Sequence, residues 1–246
     1  MKPSKTEPIK GIEIIDLALY LKEEQILVLA DLHIGYEEAL VKQGMLIPKF
    51  HFKDLVKRVE KIFEALEKQK KKVKVIVING DLKHEFGTIS DEEWRNTLKM
   101  LDYLSRKCEK IVLVRGNHDT ILGPIAEKRK VLFVDSFLDG DKMIVHGDKM
   151  VDIPTPVKTV IIGHDHPAVG LHEELRKEAY KCFLFGKHKR KNLIVQPSLT
   201  PLTEGTDVID EKLLSPFLQK DLGNFDVYIV ADKVYHFGKL KKLRKY

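Results

Sequence analysis

Five short apolar segments of this 246-residue chain each end in a small cluster of polar residues. The apolar segments are Ile26 to Leu29, Val75 to Ile78, Ile111 to Val114, Met143 to Val145 and Val160 to Ile162. The clusters that follow them are Ala30-Asp31-Leu32-His33, Gly80-Asp81-Leu82-Lys83-His84, Gly116-Asn117-His118-Asp119, His146-Gly147-Asp148 and Gly163-His164-Asp165-His166. Short apolar runs are typical of buried strands, and strand ends in an α/β sheet open onto one ligand-binding crevice. The pattern therefore predicts five strands whose polar ends meet at one site.

The rest of the chain predicts an α/β fold of two packed sheets with helices outside them. Residues 51–70 carry apolar side chains at helical spacing, and a second helix near 90–107 opens with Ser90-Asp-Glu-Glu93, which fits a capping box. The further predicted strands are Ile12 to Leu21 (antiparallel to Ile26 to Ala30), Val131 to Val134, Lys181 to Phe185, Asn192 to Val195, Phe225 to Ala231 and Lys233 to Phe237. A turn at Asp139-Gly140-Asp141 is expected between Val131 to Val134 and Met143 to Val145. No repeat or linker divides the chain, so we expect residues 1–246 to form one domain.

Seven side chains in the polar clusters are of the types that bind hard or borderline metal ions. They are Asp31, His33, Asp81, Asn117, His146, His164 and His166. Asp31 and His33 are two residues apart, as are His164 and His166, and on an extended segment this spacing points both side chains of a pair the same way. Seven donors are too many for one ion, whereas one bridging carboxylate would give two divalent ions four protein ligands each.

The charge of such a centre indicates what it would bind. Only Asp31 and Asp81 among the seven donors are negative, so two divalent ions would leave a surplus of about +2, which favours a phosphate ester as the guest. Two metal ions roughly 3.5–4 Å apart can activate a bridging water and hold both the attacking and the leaving oxygen.

The ten histidines stand beside only two cysteines, Cys108 and Cys182. Two distant cysteines form neither a disulfide framework nor a cysteine-rich zinc knuckle, so any metal must be held by His, Asp and Asn. No apolar run approaches the ~20 residues that span a bilayer, and the polar segment Met1 to Lys10 contains no signal-peptide core. We therefore expect a soluble cytoplasmic protein that makes no membrane contact.

The net charge of +6 comes from 43 Lys and Arg against 37 Asp and Glu. Basic residues are concentrated in three runs, Lys68 to Lys74, Lys187 to Lys191 and the tail Lys239 to Tyr246. Clustered positive charge can attract nucleic acid. A solvated surface, such as proteins from hot environments often have, explains the same charge, and composition leaves both interpretations open.

In combination, the motifs Asp31-x-His33, Gly80-Asp81, Gly116-Asn117-His118-Asp119, His146-Gly147 and Gly163-His164-Asp165-His166 resemble those of the calcineurin-like, binuclear metallophosphoesterases. The resemblance implies a four-layer α/β/β/α sandwich with the metals at the strand ends. It assigns Asp31, His33, Asp81 and His166 to one ion, and Asp81, Asn117, His146 and His164 to the other, with Asp81 bridging. His118 would bind no metal but would lie over the phosphate and stabilise the transition state or protonate the leaving oxygen.

A closer similarity is to the DNA-ligase-associated phosphoesterases and their archaeal relatives. It depends on the stretch Ala30 to Glu37, followed by Gly44 and Ile47-Pro48, on Gly163 to Pro167, and on the late residues Pro197, Pro201 and Gly205. The form Gly80-Asp-Leu-x-His84 is shared with the nuclease of the double-strand-break repair complex. The Asp-Arg-Gly of Ser/Thr protein phosphatases is absent here, where His84-Glu85-Phe86-Gly87 stands instead. His84 is a candidate helper of His118, with a purely structural or surface role as its alternative.

These features favour a two-metal-dependent phosphodiester hydrolase that acts on nucleic acid or nucleotides and uses a metal-bridging hydroxide as nucleophile. The resemblance favours Mn²⁺, while the ligand types also fit Fe, Zn or Ni. A phosphomonoesterase or small-nucleotide hydrolase is the alternative enzyme, and a non-catalytic metal-binding scaffold is a third hypothesis. The substrate, including the choice between DNA and RNA, and the oligomeric state stay open.

The other polar residues have structural interpretations. His51, His172, His188 and His236 lie outside the motifs and are expected on the surface or in packing. Asp119 and Asp148 are expected either to orient neighbouring imidazoles or to cap loops. Asp165 lies between two candidate ligands and is expected to point away from the metals.

Overall fold

The computed structural model describes residues 6–47, 50–87, 89–120, 122–173 and 176–243 of the chain. The strands are β1 Ile12–Ile15, β2 Ala18–Leu21, β3 Ile26–Ala30, β4 Val75–Asn79, β5 Lys110–Val114, β6 Leu132–Val134, β7 Phe137–Asp139, β8 Lys142–Ile144, β9 Thr159–Ile162, β10 Pro167–Glu173, β11 Arg176–His188, β12 Lys191–Val195, β13 Thr206–Asp207, β14 Asp226–Val230 and β15 Val234–Lys239. The helices are α1 Tyr36–Lys42, α2 His51–Lys68, α3 Asp91–Ser105, α4 Gly123–Lys128 and α5 Leu240–Leu243. Pro48, the side chain of His172 and the end of the basic tail, 244–246, lie outside the described residues.

The first sheet has the strand order β1-β2-β3-β4-β5-β6 within the described residues. Its first three strands are antiparallel, whereas β3 to β6 are parallel. The single strand expected over Ile12 to Leu21 is divided in two, because Asp16 takes a left-handed conformation with φ 56°. Its carboxylate accepts the N–H of Leu17 at 2.6 Å, which closes the turn between β1 and β2.

The second sheet runs β13-β10-β11-β12-β9-β8-β7, and β14 and β15 extend it beside β11. Strands β8, β9 and β12 are parallel. The expected turn at Asp139-Gly140-Asp141 is present, but it joins β7 to β8. The segment predicted to precede it, Val131 to Val134, instead contributes β6 to the first sheet, where Val112 pairs with Leu132. The sequence placed this turn between Val131 to Val134 and Met143 to Val145, but β7 intervenes, and β6 pairs with β5 rather than with a strand next to the turn.

The two sheets pack face to face, and each has an outer covering. Alternating residues of the second sheet, such as Ile161, Phe183 and Ile194, join the core between the sheets. Their neighbours on each strand face the other way and pack under Phe217 and Leu222. Helices α2 and α3 cover the outer face of the first sheet, where α2 contacts β1 and α3 contacts β5.

This architecture confirms the predicted α/β sandwich. The outer covering of the second sheet is mostly irregular chain, with the short 3-10 helix Pro216–Leu218 and α5 as its helical parts. The two helices expected near 51–70 and 90–107 are α2 and α3. No helix in the described ranges is long and apolar enough to cross a membrane.

Candidate metal centre

The polar clusters converge at the carboxyl ends of strands from both sheets. Strands β3, β4 and β5 are parallel neighbours in the first sheet, and β8 and β9 are parallel neighbours in the second. Each of the seven predicted donors lies within four residues of the end of one of these strands. Because the carboxyl ends of parallel strands lie at one edge of a sheet, the stacking of two such edges brings all seven donors into one cluster.

One group of donors contains Asp31, His33 and His166, whose ligating atoms lie within 4.8 Å of one another. Nε2 of His33 lies 3.2 Å from Nε2 of His166. The same nitrogen of His166 is 3.6 Å from Oδ1 of Asp31. Asp31 is completely buried, and one carboxylate oxygen accepts the backbone N–H of His164 at 3.1 Å.

A second group surrounds His146. Its Nε2 lies 2.9 Å from Oδ1 of Asn117 and 3.2 Å from Nδ1 of His164. Oδ2 of Asp81 is 3.4 Å from the same nitrogen and 3.7 Å from Nε2 of His33. Asp81 therefore stands between the two groups, where a shared ligand would have to be.

The backbone at this site is unusual. Asp31, His33, Asp81, His164 and His166 all have positive φ, between 46° and 70°. Non-glycine residues rarely adopt this left-handed conformation, and residues that do so cluster at functional sites. The pairing argument from an extended segment was thus wrong in its geometry, because both pairs converge through left-handed turns rather than through strand alternation.

At Gly80 and Gly116, a candidate metal ligand occupies the space that a side chain at the glycine would need. A Cβ on Gly80 would lie 2.0 Å from Nδ1 of His146, and one on Gly116 would lie 2.1 Å from Oδ1 of Asp81. The Gly-Asp and Gly-Asn-His motifs therefore require glycine because the loops carrying them press directly against the neighbouring donors.

The ionisation of His33, His164 and Asp81 suits metal binding, whereas His146 would have to lose its proton when a metal ion binds. Burial, with the neighbouring His166, holds the pKa of His33 well below its ordinary value, and burial and His146 lower the pKa of His164. Burial disfavours the charged forms of both Asp81 and His146, but the hydrogen bond between the two side chains, with their mutual attraction, outweighs it. The pKa of Asp81 is therefore lowered, and that of His146 is raised to about 9. Neutral imidazoles and ionised carboxylates are the forms that bind metal ions.

The side chains of this cluster fit divalent metal ions. The Nε2 atoms of His33 and His166 face each other 3.2 Å apart, and a carboxylate oxygen of Asp31 lies within 4.8 Å of both. Nδ1 of His146 is buried and has no hydrogen-bond partner. Imidazole nitrogens, carboxylates and an amide oxygen, with no thiolate, are ligands for Mn, Fe, Zn or Ni. These residues therefore provide what two divalent ions need.

His118 lies beside this cluster and is held by the backbone around it. Its N–H donates to Oδ1 of Asp81 at 2.9 Å, and its Nδ1 donates to the carbonyl of His84. That carbonyl can only accept, so the proton of Nδ1 is fixed and Nε2 is the atom directed to the centre, 3.9 Å from Oδ2 of Asp81.

The His84 side chain lies among the rings of His33, His118 and Tyr36, and its ligating nitrogen is within 4.8 Å of those of His33 and His118. Its Nδ1 lies 3.2 Å from Nδ1 of His33, and its ring stacks on Tyr36 with 4.1 Å between the centroids. Burial and the neighbouring His118 lower the pKa of His84 to about 4. His84 thus contacts His118 through its backbone carbonyl and through its ring, 5.1 Å away between centroids, and its imidazole also contacts the candidate ligand His33.

Two buried carboxylates hold the loops that carry these histidines. Asp119 accepts the N–H groups of Gly116 at 3.0 Å and Leu82 at 3.1 Å, so it joins two motif loops and contacts no imidazole. Burial, followed by the charge of Asp81, raises its pKa to about 7. Glu93 accepts the N–H of His84 at 2.9 Å. The capping box predicted this glutamate for helix α3, where Ser90 does accept the N–H of Glu93 at 3.0 Å.

The residues assigned structural roles have such roles where they are described. Asp165 points away from the cluster and accepts the N–H of Ser215 at 2.9 Å. His51 is buried and bonds Oγ1 of Thr200 through Nε2 at 2.8 Å. His236 lies 3.2 Å from a carboxylate oxygen of Asp226, and His188 packs against Phe217.

A segment that the sequence did not point to, residues 196–200, supports the centre from behind. Leu199 donates its N–H to the carbonyl of Ala30 at 2.9 Å, and Thr200 donates to that of Asp31 at 3.3 Å. Gln196 bonds the carbonyls of Leu17 and Val28 through its Nε2. Pro197 within this segment and Pro201 directly after it were its only signal in the sequence.

The three basic runs lie at the other end of the strands. Lys68 to Lys74 precede β4, and Lys187 to Lys191 form the turn between β11 and β12. Because β12 is parallel to β9, that turn lies opposite the end from which His164 follows. Lys239 pairs with Asp226 at the start of β14, at the same far edge. The described parts of these runs therefore do not border the candidate centre and do not indicate its substrate.

A basic cavity instead adjoins the centre. It has a volume of about 550 Å³ and contains Lys57, Arg58 and Lys61 of α2 together with Lys181, opposed by Asp54 and Glu204. Its wall includes Thr200, the residue whose N–H bonds Asp31. The cavity therefore brings basic side chains to the same edge as the candidate metal ligands. Lys57 is paired there with Asp54 and Arg58 with Asp16, and burial and the neighbouring Arg58 lower the pKa of Lys181 to about 7.

Three comparisons relate the chain to known proteins. The family model described as calcineurin-like phosphoesterase matches residues 25–234. A crystal structure of the Pseudomonas putida nuclease MPE is similar over 96% of this chain and 99% of that one, with a TM-score of 0.65 and 17% identity. Wild-type Vps29 of Entamoeba histolytica, complexed with Zn²⁺, has a TM-score of 0.35 and 14% identity over 87% of this chain and 98% of that one. No curated protein matches. At these identities the structural likeness concerns the fold.

Proposed function

The chain belongs to the calcineurin-like phosphoesterase family, and from this we propose that it is a two-metal-dependent phosphodiester hydrolase acting on nucleic acid or nucleotides. The observation that supports the proposal is the cluster of seven candidate ligands, of which Asp31, His33, Asp81 and His146 are buried, with the Nε2 of His118 directed at it. The solved structure with a TM-score of 0.65 is that of a nuclease, which agrees with a phosphodiester substrate. Asp31, His33, Asp81 and His166 would hold one ion, and Asp81, Asn117, His146 and His164 the other.

When bound, the two ions would supply positive charge to the phosphate oxygens and to the water that attacks phosphorus. The protein residues set the geometry of that reaction. Left-handed turns at the strand ends direct the donors inward, and Asp119 and Glu93 hold the loops of His118 and His84. Preorganised groups of this kind stabilise a transition state because they need no rearrangement when charge develops.

His118 would act through its Nε2. Since Nδ1 donates to the carbonyl of His84, only Nε2 can exchange a proton with the substrate, and it would donate that proton from the imidazolium form, leaving the neutral ring with its proton on Nδ1. That atom can donate to a phosphate oxygen as charge develops, or give its proton to the departing alkoxide oxygen. The imidazole of His84 would position the ligand His33, with which its Nδ1 makes a 3.2 Å contact.

A substrate panel with metal titration tests this function. The metal-loaded chain should hydrolyse an aryl phosphodiester and a single-stranded oligonucleotide, with Mn²⁺ the most effective of Mn²⁺, Fe²⁺, Zn²⁺ and Ni²⁺. Aryl monoesters, cyclic nucleotides, duplex DNA and RNA complete the panel. A faster rate on the monoester would favour the phosphomonoesterase alternative. The absence of hydrolysis on every ester, with two ions bound per chain by elemental analysis, would indicate a non-catalytic scaffold.

The basic cavity predicts how the binding of an oligonucleotide depends on salt concentration. Replacing both Lys57 and Lys61 with alanine should raise KM for a single-stranded oligonucleotide several-fold, because these exposed lysines line the cavity beside the centre. If each contacts one phosphate, the slope of log KM against log salt should fall by about 1.4, at roughly 0.7 per contact.

The matched control is the double variant Lys68→Ala, Lys70→Ala, which removes two exposed lysines near the far edge. It should leave KM and the salt slope unchanged. Equal effects of the two double variants would show that the cavity has no special part in binding and that net charge alone matters.

A further inference from the structure

Most of the large hydrophobic side chains exposed in the described residues belong to two segments, one of which, at Phe86, contacts His118. The large hydrophobic side chains exposed among the described residues are Val41, Met45, Leu46, Phe50, Phe86, Leu132, Leu138, Met150 and Leu214. Five of them fall within residues 41–50 or at Phe86. An ion pair of 3.0 Å between Lys42 and Glu85 joins these two segments. Large apolar groups grouped in one exposed place usually mark a binding surface.

Phe86 is the member of this group nearest the reacting groups. Its ring lies 3.8 Å from the ring of His118, centroid to centroid, with 32° between the planes. The side chain is nevertheless 59% exposed. One part of an apolar ring thus contacts the residue that would serve the scissile phosphate, while the rest is open to solvent. Burying this open surface against another flat apolar group would be favourable.

Nucleobases are the flat groups that a nucleic-acid phosphodiester brings to this position. Stacking of a base on an exposed aromatic ring is a common mode of single-strand binding, and it tolerates any sequence because every base has a π face. In a duplex the bases are already stacked on one another and are not free to make this contact.

We propose that Phe86 binds a nucleobase of the substrate strand next to the scissile phosphate, with Val41, Met45, Leu46 and Phe50 forming the adjoining apolar surface. This inference rests on the proposed hydrolase function and names its substrate class as single-stranded or unpaired nucleic acid. The occupant is a base rather than a protein segment, because the surface adjoins the Nε2 of His118 and a protein bound there would cover it.

A comparison of base-containing and abasic oligonucleotides tests the proposal. The substrates are single strands of one length that carry either a normal nucleotide or an abasic residue on one side or the other of the cleaved phosphate. For the wild-type protein, removing the base that stacks should lower kcat/KM by about 5- to 100-fold, in the range of base–aromatic stacking. Removing the base on the other side should have a much smaller effect.

The variant Phe86→Ala should show the same loss on the base-containing strand and no further loss on the abasic one. Phe86→Trp should restore the rate, whereas Phe86→Leu, which is apolar but not aromatic, should not. Leu132→Ala is the matched control, because Leu132 is exposed at the start of β6, far from the strand ends that carry the centre. It should cleave both strands like the wild type.

Two results would overturn the proposal. The first is a wild-type kcat/KM for Phe86→Ala on the base-containing strand. The second is a kcat/KM for Phe86→Ala on the abasic strand that falls by the product of the two separate losses, since independent effects multiply. Recovery of activity in Phe86→Leu would likewise reject stacking in favour of simple packing on His118. Cleavage of oligonucleotides with no effect of either abasic position would leave the hydrolase function standing and reject this inference alone, whereas no cleavage of any diester would reject the function itself.

Discussion

Replacing His118 with alanine is expected to lower kcat by about 10²- to 10⁴-fold, the range of a general acid or base, while the protein keeps both metal ions. His118 is outside the proposed ligand set, and its Nε2 stands 3.9 Å from Asp81. The loss should depend on the leaving group. An alkoxide needs a proton to depart, whereas a nitrophenolate does not, so the loss should be larger on an oligonucleotide than on a nitrophenyl diester.

The measurements are kcat on both substrates and metal content by elemental analysis. His236→Ala removes a histidine that pairs with Asp226, away from the centre, and should leave both quantities unchanged. An equal loss on the two substrates would assign His118 to phosphate stabilisation rather than to protonation of the leaving group. A full rate on the oligonucleotide would show that neither role belongs to His118.

Asp81→Asn is expected to abolish both tight metal binding and hydrolysis. Oδ2 of Asp81 lies 3.4 Å from Nε2 of His146 and 3.7 Å from Nε2 of His33, between the two groups of donors. Asparagine can still accept the N–H of His118 through its amide oxygen, so the change removes chiefly the negative charge. The loss of metal affinity should exceed the 10- to 100-fold cost of removing an outer-shell partner of a ligand.

Asp165→Asn is the matched control for this charge change. Asp165 lies between the candidate ligands His164 and His166 in sequence, but its carboxylate points away and accepts the N–H of Ser215. It should retain two ions per chain and most of the activity. Retention of both ions by Asp81→Asn, with activity near that of the wild type, would contradict the proposed bridging position.

The clustering of the candidate ligands could be predicted from the sequence because it is encoded locally. Each donor lies close to the end of a short apolar strand, so the residue types and the strand pattern together indicated the cluster. His118 and the glycines Gly80 and Gly116 belong to the same local motifs. The helices α2 and α3 were also predictable, since apolar spacing and the Ser90 cap are local signals.

Features that depend on contacts between distant segments could not be predicted from the sequence. The strand order was left open by the sequence, and the pairing of β6 with β5 in the first sheet depends on contacts between distant segments. The histidine pairs converge through left-handed turns that spacing alone does not reveal. The positions of the basic runs at the far edge and of Phe86 on the His118 ring likewise follow from how the two sheets and their loops pack.

The amino-acid sequence by itself thus determined the donor types, the strand ends that carry them and the family resemblance, because these depend on residues a few positions apart. Only the tertiary structure decided which donors face one another, which backbone groups hold His118, and which charged and apolar surfaces lie beside the centre. These features depend on contacts between segments as far apart as His33 and His166, whose pairing is set by the packing of two whole sheets.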